Sequence, residues 1–186
     1  MAAIALSLAG PVIGSTSAPD DAGGSVRLGV WLAMPRLGTT VAVSSWRGRY
    51  GLGFGLTDIS TIPSRMGGDW GEPYPITDVL LRYRGDSWLR LPLSYQVLTG
   101  IRWLRPIGPM AALGVSWDIQ MPIRSTRVLI GILGSTEGTS HALDAQAQLA
   151  GQLGQVGWHI GWRQLATTGP STVPLSGPTI GMALPL

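Results

Sequence analysis

Apolar residues recur at every second position along most of this chain. In the longest example, residues 88–104, every odd position from Leu89 to Trp103 is apolar except Thr99. The even positions of this stretch include Arg90, Ser94, Gln96, Gly100 and Arg102. A period of two is that of a β-strand, whose successive side chains point to opposite faces of the sheet. We therefore predict an all-β protein.

The alternation divides the chain into about ten predicted strands. Most segments contain the roughly 9–11 residues that a tilted membrane-spanning strand needs. Eight strands is the alternative if two of the segments do not span. The predicted strands are 25–34, 38–46, 49–58, 76–85, 88–104, 110–120, 124–133, 140–150, 155–163 and 178–186.

The composition indicates which face of the sheet points inward. Charged residues make up 12% of the chain, against roughly 25% in an ordinary soluble domain, and the mean hydropathy is +0.25. The face opposite the apolar one is mostly Gly, Ala, Ser and Gln, which is too weakly polar to cover a sheet in water. It suits a crowded barrel interior, so the apolar face would contact lipid. Only a closed barrel pairs all its backbone groups in a bilayer, and we predict a closed antiparallel up-and-down transmembrane β-barrel.

The lengths of the predicted connections indicate an orientation. Outer-membrane barrels have short turns at the periplasmic rim and longer loops outside. We therefore expect the short connections, and both ends of the barrel sequence, at the periplasmic rim. The short connections are residues 47–48, 85–87, 121–123 and 151–154. The connections at the other rim are residues 35–37, 59–75, 105–109, 134–139 and 164–177, and all of them except 35–37 are longer.

The N-terminal segment differs from the rest. An uncharged apolar stretch from Ala2 to Ile13 is followed by small residues, with Thr16 and Ala18 at the positions expected before a cleavage site. This pattern is typical of a secretory signal peptide. We predict a signal peptide over residues 1–18 and a single barrel domain over residues 19–186.

The last strand carries a resemblance to a known class of protein. Ile180, Met182, Leu184 and Leu186 alternate up to the final residue. This resembles the C-terminal signal of bacterial outer-membrane barrels, with Leu186 in place of their usual terminal aromatic residue. The resemblance implies an outer-membrane location, contact with membrane lipid, and recognition of Ile180–Leu186 by the barrel-assembly machinery.

Charged and polar residues on the predicted inner face are the first candidate functional residues. We interpret them as a network that fills a narrow lumen, in which Arg side chains bridge carboxylates and Gln side chains. The alternative interpretation is a narrow pore that favours anions. The predicted network is Arg27, Asp78, Arg82, Arg90, Arg102, Asp118, Asp144, Gln146, Gln148, His159 and Arg163, with Arg84 on the same face.

Aromatic residues on the apolar face are the second group of candidates. Transmembrane barrels carry rings of aromatic side chains at the two membrane–water interfaces. The predicted interfacial residues are Tyr50, Tyr83, Tyr95, Trp103, Trp117, Trp158 and Trp162; Trp31 and Trp46 would point inward.

These features predict an outer-membrane barrel with a structural, adhesive or small porin-like role. Two alternatives are an outer-membrane lipid-modifying or proteolytic enzyme and a soluble β-barrel that binds an apolar ligand. Ser140, His141 and Asp144 lie close in sequence, but Ser140 and His141 would point to opposite faces of a strand. We therefore predict no catalytic residues.

No cofactor, metal or nucleic-acid partner is expected either. The chain has no cysteine, and the motifs of metal and nucleotide sites are missing from the sequence. The 13 basic residues are all scattered Arg, which makes a poor surface for phosphate backbones.

Overall fold

Ten β-strands make up the protein in a computed structural model that describes residues 23–33, 36–61, 74–86, 93–123, 126–169 and 174–186. The predicted signal peptide lies outside these residues. The strands are β1 (Gly23–Ala33), β2 (Arg36–Arg47), β3 (Tyr50–Thr61), β4 (Tyr74–Asp86), β5 (Leu93–Leu104), β6 (Gly108–Gln120), β7 (Arg127–Glu137), β8 (Ser140–Leu153), β9 (Val156–Thr168) and β10 (Leu175–Pro185).

The strands form a closed up-and-down barrel. Each strand pairs antiparallel with its neighbours in sequence, and β1 pairs with β10 to close the ring. The predicted fold class is confirmed, and the alternative of eight strands is wrong. No helix among the described residues is long and apolar enough to cross a membrane. We call the end of the barrel where β1 begins the lower end and the opposite end the upper end.

The closing seam between β1 and β10 depends on small residues. The ladder runs from Ser25, opposite Pro185, to Trp31, opposite Thr179. A Cβ atom on Gly181 would collide with the carbonyl oxygen of Leu28. Glycine at this position therefore allows the two strand backbones to approach within hydrogen-bonding distance.

Several strands extend beyond their predicted ends, β7 and β9 the furthest. β7 reaches Glu137 instead of residue 133, and β9 reaches Thr168 instead of residue 163. The small or polar side chains that follow residue 133 are typical of a loop. The structure nevertheless continues the ladder with β8 through Gly134, Ser135 and Thr136. Near a strand end water can solvate polar side chains, so their polarity does not stop backbone pairing.

The predicted alternation of short and long connections is also wrong in part. At the upper end, the connection predicted at 134–139 is a tight turn at residues 138–139, where Gly138 has a φ of 56°. At the lower end, β4 continues to Asp86 and β6 and β7 are joined by residues 121–126. Connection length therefore does not distinguish the two rims, and the orientation in the membrane stays a prediction.

Candidate functional site

The outer surface of the barrel is apolar on every strand. Exposed large apolar side chains occur on all ten strands. The most exposed near strand centres are Leu113 at 65% and Leu81 at 61%. A monomer in water rarely exposes a continuous apolar patch above a few hundred Å². An outer surface of this kind is the one that a transmembrane barrel presents to lipid.

Charged side chains are nearly missing from this outer surface. Among the strand residues whose side chains are described, the alternation places only Arg47 and Asp58 on the outer face. Arg47 is the last residue of β2, and Asp58 lies near the upper end of β3. The centres of the described strands therefore present no charge outward, as required of a surface in hydrocarbon.

The predicted interfacial aromatics all point outward but do not all lie near a rim. Trp103 lies near the upper end of β5. Trp162 lies halfway along β9, where its indole N–H donates to the Ser176 hydroxyl at 2.8 Å. The remaining five lie toward the lower ends of their strands: Tyr50, Tyr83, Tyr95, Trp117 and Trp158.

The upper third of the lumen is filled by apolar side chains. They come from eight strands and are only 0–6% exposed. Tyr74 and Ile107 pack against this group from the upper end. We call it the upper apolar layer: Trp31, Ala33, Ile59, Ile76, Leu104, Met110, Ala142, Leu165 and Leu175.

A chain of ion pairs crosses the lumen below this layer. Arg102 on β5 donates from Nε and Nη2 to the two carboxylate oxygens of Asp78, at 2.7 and 3.0 Å. Its Nη2 also donates to Asp144 on β8 at 3.0 Å. Arg163 on β9 donates from Nε and Nη2 to Asp144, at 3.0 and 2.7 Å. We call Asp78, Arg102, Asp144 and Arg163 the ion-pair chain.

The ion-pair chain reaches from one wall to the opposite wall. Asp78 lies on β4 and Arg163 on β9, which are diametrically opposite in the ring of ten strands. The Arg163 guanidinium then lies over the Trp31 ring on β1, 4.7 Å from its centroid. All four charged residues are at most 4% exposed. Two positive and two negative charges balance here, and the lumen is filled at this level as well.

The middle of the lumen is apolar on one side and polar on the other. Leu80, Leu98, Ala112 and Leu133 form an apolar cluster on β4 to β7. On the other side Gln148 donates to Gln146 at 3.1 Å, and His159 is 9% exposed beside them. Gly181 gives the His159 ring its space, since a Cβ at this position would lie 2.6 Å from Nε2.

A second group of charged residues lies toward the lower end of the lumen. Arg27, Arg84 and Arg127 lie near the carboxylate of Asp118, and Arg82 lies near that of Asp78. Arg127 Nη1 and Asp118 Oδ2 lie 3.6 Å apart. Arg84 and Arg82 lie over the Trp46 ring, 4.4 and 5.9 Å from its centroid. We call these four arginines the lower arginine cluster.

The lower end also contains a cavity of about 480 Å³. Arg27, Asp118 and Arg127 line it, together with Gln120 and Gln152. This volume is within the roughly 300–1,000 Å³ of small-molecule sites. The lumen is thus filled above and open below.

The described residues of the predicted lumen network all face inward, whereas Arg90 lies outside the described residues. The structure joins four of them in the ion-pair chain and brings Arg27, Arg82 and Asp118 together lower down. Sequence reasoning placed Trp31 inside but missed Arg127 and the rest of the upper apolar layer. These residues share the strand parity of inward residues, as Ile76 does with Asp78, so applying the parity to every residue of each strand would have found them.

The residues weighed for catalysis are separated. Ser140 and Asp144 are buried inside the barrel, whereas His141 is exposed outside and lies 2.9 Å from the Thr136 hydroxyl. In the described part of the chain, no cluster of three His, Asp or Glu side chains could hold a metal ion.

Comparisons with known proteins find similar barrels and no family. No protein-family model and no curated protein matches the sequence. The N-terminal β-barrel domain of OprF from Pseudomonas aeruginosa aligns over 88% of this chain and 97% of its own, at 6% identity and a TM-score of 0.43. A major outer membrane protein from Thermus thermophilus aligns over 89% of this chain and 100% of its own, at 12% identity and a TM-score of 0.45. Scores this low carry no argument about function.

Proposed function

We propose that this protein is an integral β-barrel of the bacterial outer membrane with a structural role and an occluded lumen. The observation that carries the membrane assignment is the outer surface, which is apolar on all ten strands and uncharged at the described strand centres. A soluble barrel that binds an apolar ligand would have the reverse arrangement, with its apolar face inside and its charges outside.

The packing of the lumen favours a structural role over a porin-like one. The upper apolar layer and the ion-pair chain fill two successive levels with side chains that are at most 6% exposed. An ion or solute would have to displace both. Small barrels commonly have interiors filled by side chains, and cross-lumen ion pairs then hold opposite walls together.

Fractionation and gel mobility test the proposal. The full chain, expressed in a diderm bacterium, should sediment with outer membranes and need detergent for extraction. The extracted protein should migrate differently on a denaturing gel before and after boiling, because a closed barrel resists detergent until heated. Recovery in the soluble fraction without detergent would contradict the proposal and favour the soluble alternative.

We further propose that membrane lipid and the barrel-assembly machinery are its partners, the latter through Ile180–Leu186. Met182 and Leu184 are 46% and 39% exposed on the outer face of β10. Replacing both with Ser should lower the amount of heat-shifting protein in the outer membrane. The matched control is Val26→Ser with Leu28→Ser on β1, the partner of β10. Equal losses for both pairs would refute a special role of the last strand.

A further inference from the structure

We propose that Arg27 is a gate between the cavity at the lower end, which we call the lower cavity, and a second, smaller cavity beside His159. Its side chain divides a single polar path that begins at the lower end of the lumen and stops at the ion-pair chain. This inference goes beyond the structural role and does not depend on where the barrel resides. It starts from two cavities that share one lining residue.

The second cavity lies in the middle of the lumen and has a polar lining. Its volume is about 20 Å³, which is enough for one water molecule, since a water needs roughly 10–15 Å³ and two to four polar partners. Hydroxyl, amide, imidazole and guanidinium groups supply such partners. We call it the middle cavity, and the residues that line it include Thr40, Gln146, Gln148, His159, Arg163 and Thr179.

The inward residues of β1 follow the lumen from the lower end to the upper apolar layer. Ser25 lines the lower cavity, Gly29 lines the middle cavity, and Trp31 belongs to the upper apolar layer. Arg27 lies between Ser25 and Gly29 and, alone among the described residues, lines both cavities. Because inward side chains succeed one another at every second residue of a strand, the Arg27 side chain occupies the boundary between the two cavities.

The facing strands contribute only small side chains at this boundary. On β8, Ala150 lies between the residues that line the lower cavity and those that line the middle cavity. On β10, Gly181 has the same position. Neither a methyl group nor a hydrogen atom is long enough to divide the lumen. Displacement of the Arg27 side chain therefore joins the two cavities.

Arg27 is held less firmly than the arginines of the ion-pair chain. Arg102 and Arg163 donate five hydrogen bonds of 3.0 Å or less to the two aspartates of that chain. The Nε atom of Arg27 makes no hydrogen bond to any described residue, and its charge is attracted by Asp118, which lines the lower cavity. A side chain at the edge of a cavity with an attracting charge on the far side has room to swing into it. We therefore expect Arg27 to move before the ion-pair chain does.

The path past Arg27 ends inside the barrel. Arg163 lines the middle cavity and is held by Asp144, and the upper apolar layer lies above it. Movement of Arg27 thus admits water and small solutes from the lower end as far as His159, but not across the barrel. The path is a dead end and differs in this respect from a pore.

Labelling of an introduced thiol tests the proposal. The chain has no cysteine, and Thr179→Cys places one thiol in the middle cavity, where the native residue is 8% exposed. The folded barrel in neutral detergent is treated with methyl methanethiosulfonate, a small uncharged reagent. Each rate is divided by that of the same variant unfolded in urea. We expect Arg27→Ala to accelerate the labelling of Thr179→Cys by at least about tenfold, because the rate follows the population of the open state.

Arg127→Ala is the matched control. Arg127 lines the lower cavity but not the middle one and, like Arg27, lies near the carboxylate of Asp118. Its replacement removes the same charge without joining the cavities and should leave the labelling rate unchanged. Because a nearby cation favours the reactive thiolate, loss of the Arg27 charge would by itself slow the reaction. No acceleration by Arg27→Ala, or equal acceleration by Arg27→Ala and Arg127→Ala, would overturn the proposal.

A second variant covers the case in which Arg27→Ala does not fold. A Cβ atom on Gly29 would lie 3.5 Å from His159 Nε2 and 3.4 Å from the Ile180 carbonyl oxygen, which are ordinary van der Waals distances. Gly29→Ala should therefore fold, and its methyl group should narrow the middle cavity and slow the labelling of Thr179→Cys. An unchanged or faster rate would count against a path through this cavity.

Conductance in planar bilayers separates this proposal from that of an occluded lumen. Arg27→Ala should show no steady conductance, because the ion-pair chain and the upper apolar layer remain in place. A conducting Arg27→Ala barrel, with the unaltered barrel closed, would refute the dead end while leaving the lumen of the unaltered protein occluded.

Discussion

Arg102 on β5 and Asp144 on β8 are joined across the lumen by a hydrogen bond of 3.0 Å, although three steps around the barrel wall separate their strands. Asp144 also accepts two hydrogen bonds from Arg163 on β9. One carboxylate therefore links two walls of the barrel, and both of its cations are almost completely buried.

Removing this carboxylate should strongly destabilise the barrel. We expect Asp144→Asn to lower the free energy of unfolding by about 3–5 kcal/mol, the range for breaking a buried ion pair by removing one partner. Urea unfolding in lipid vesicles, followed by tryptophan fluorescence, measures the change. The matched control is Asp58→Asn on the outer face of β3, where we expect an effect of about 1 kcal/mol or less. Similar effects at both positions would argue against the ion-pair chain.

The free-energy cost of placing a charge on the outer face should depend on the depth of the residue in the membrane. Leu113 lies near the centre of β6 and is 65% exposed, whereas Leu153 is the last residue of β8 and is 74% exposed. In vesicles, Leu113→Arg should cost about 2–4 kcal/mol of unfolding free energy and Leu153→Arg about 0–1 kcal/mol. On a water-facing surface both would be within about 0.5 kcal/mol of the unaltered protein. The latter outcome would refute the membrane assignment.

The β1–β10 seam should not tolerate a side chain at Gly181. Gly181→Ala drives a methyl group into the Leu28 carbonyl and the His159 ring, and overpacking of this kind costs about 1–3 kcal/mol. We expect less heat-shifting protein after refolding. Gly134→Ala on β7 is the control, because its nearest neighbouring atom would lie 3.7 Å away. A normal yield of folded Gly181→Ala would show that β1 and β10 can move apart at this position without loss of stability.

Labelling should reveal a lumen that is open below and closed above. The chain has no cysteine, so a single introduced thiol reports on its own surroundings. Gln120→Cys in the lower cavity should react quickly with a water-soluble maleimide, whereas Ala142→Cys in the upper apolar layer should stay protected until the barrel is unfolded. The unaltered protein should show no steady single-channel conductance in planar bilayers. Rapid labelling of Ala142→Cys, or a steady conductance, would contradict the occluded lumen.

The sequence by itself determined the strand type, the closed barrel and the face that each side chain takes. Alternation places Asp78, Arg102 and Asp144 inside and Leu113 outside, because the period of a strand is a local property of its backbone. The tertiary structure decided which inward charges meet. Arg102 pairs with Asp144, while Arg82 has no hydrogen-bonding partner among the described residues. These outcomes depend on the number of strands and their stagger around the ring, which set the height of each side chain in the lumen. Neither quantity is encoded in any one strand, since both arise only when the barrel closes.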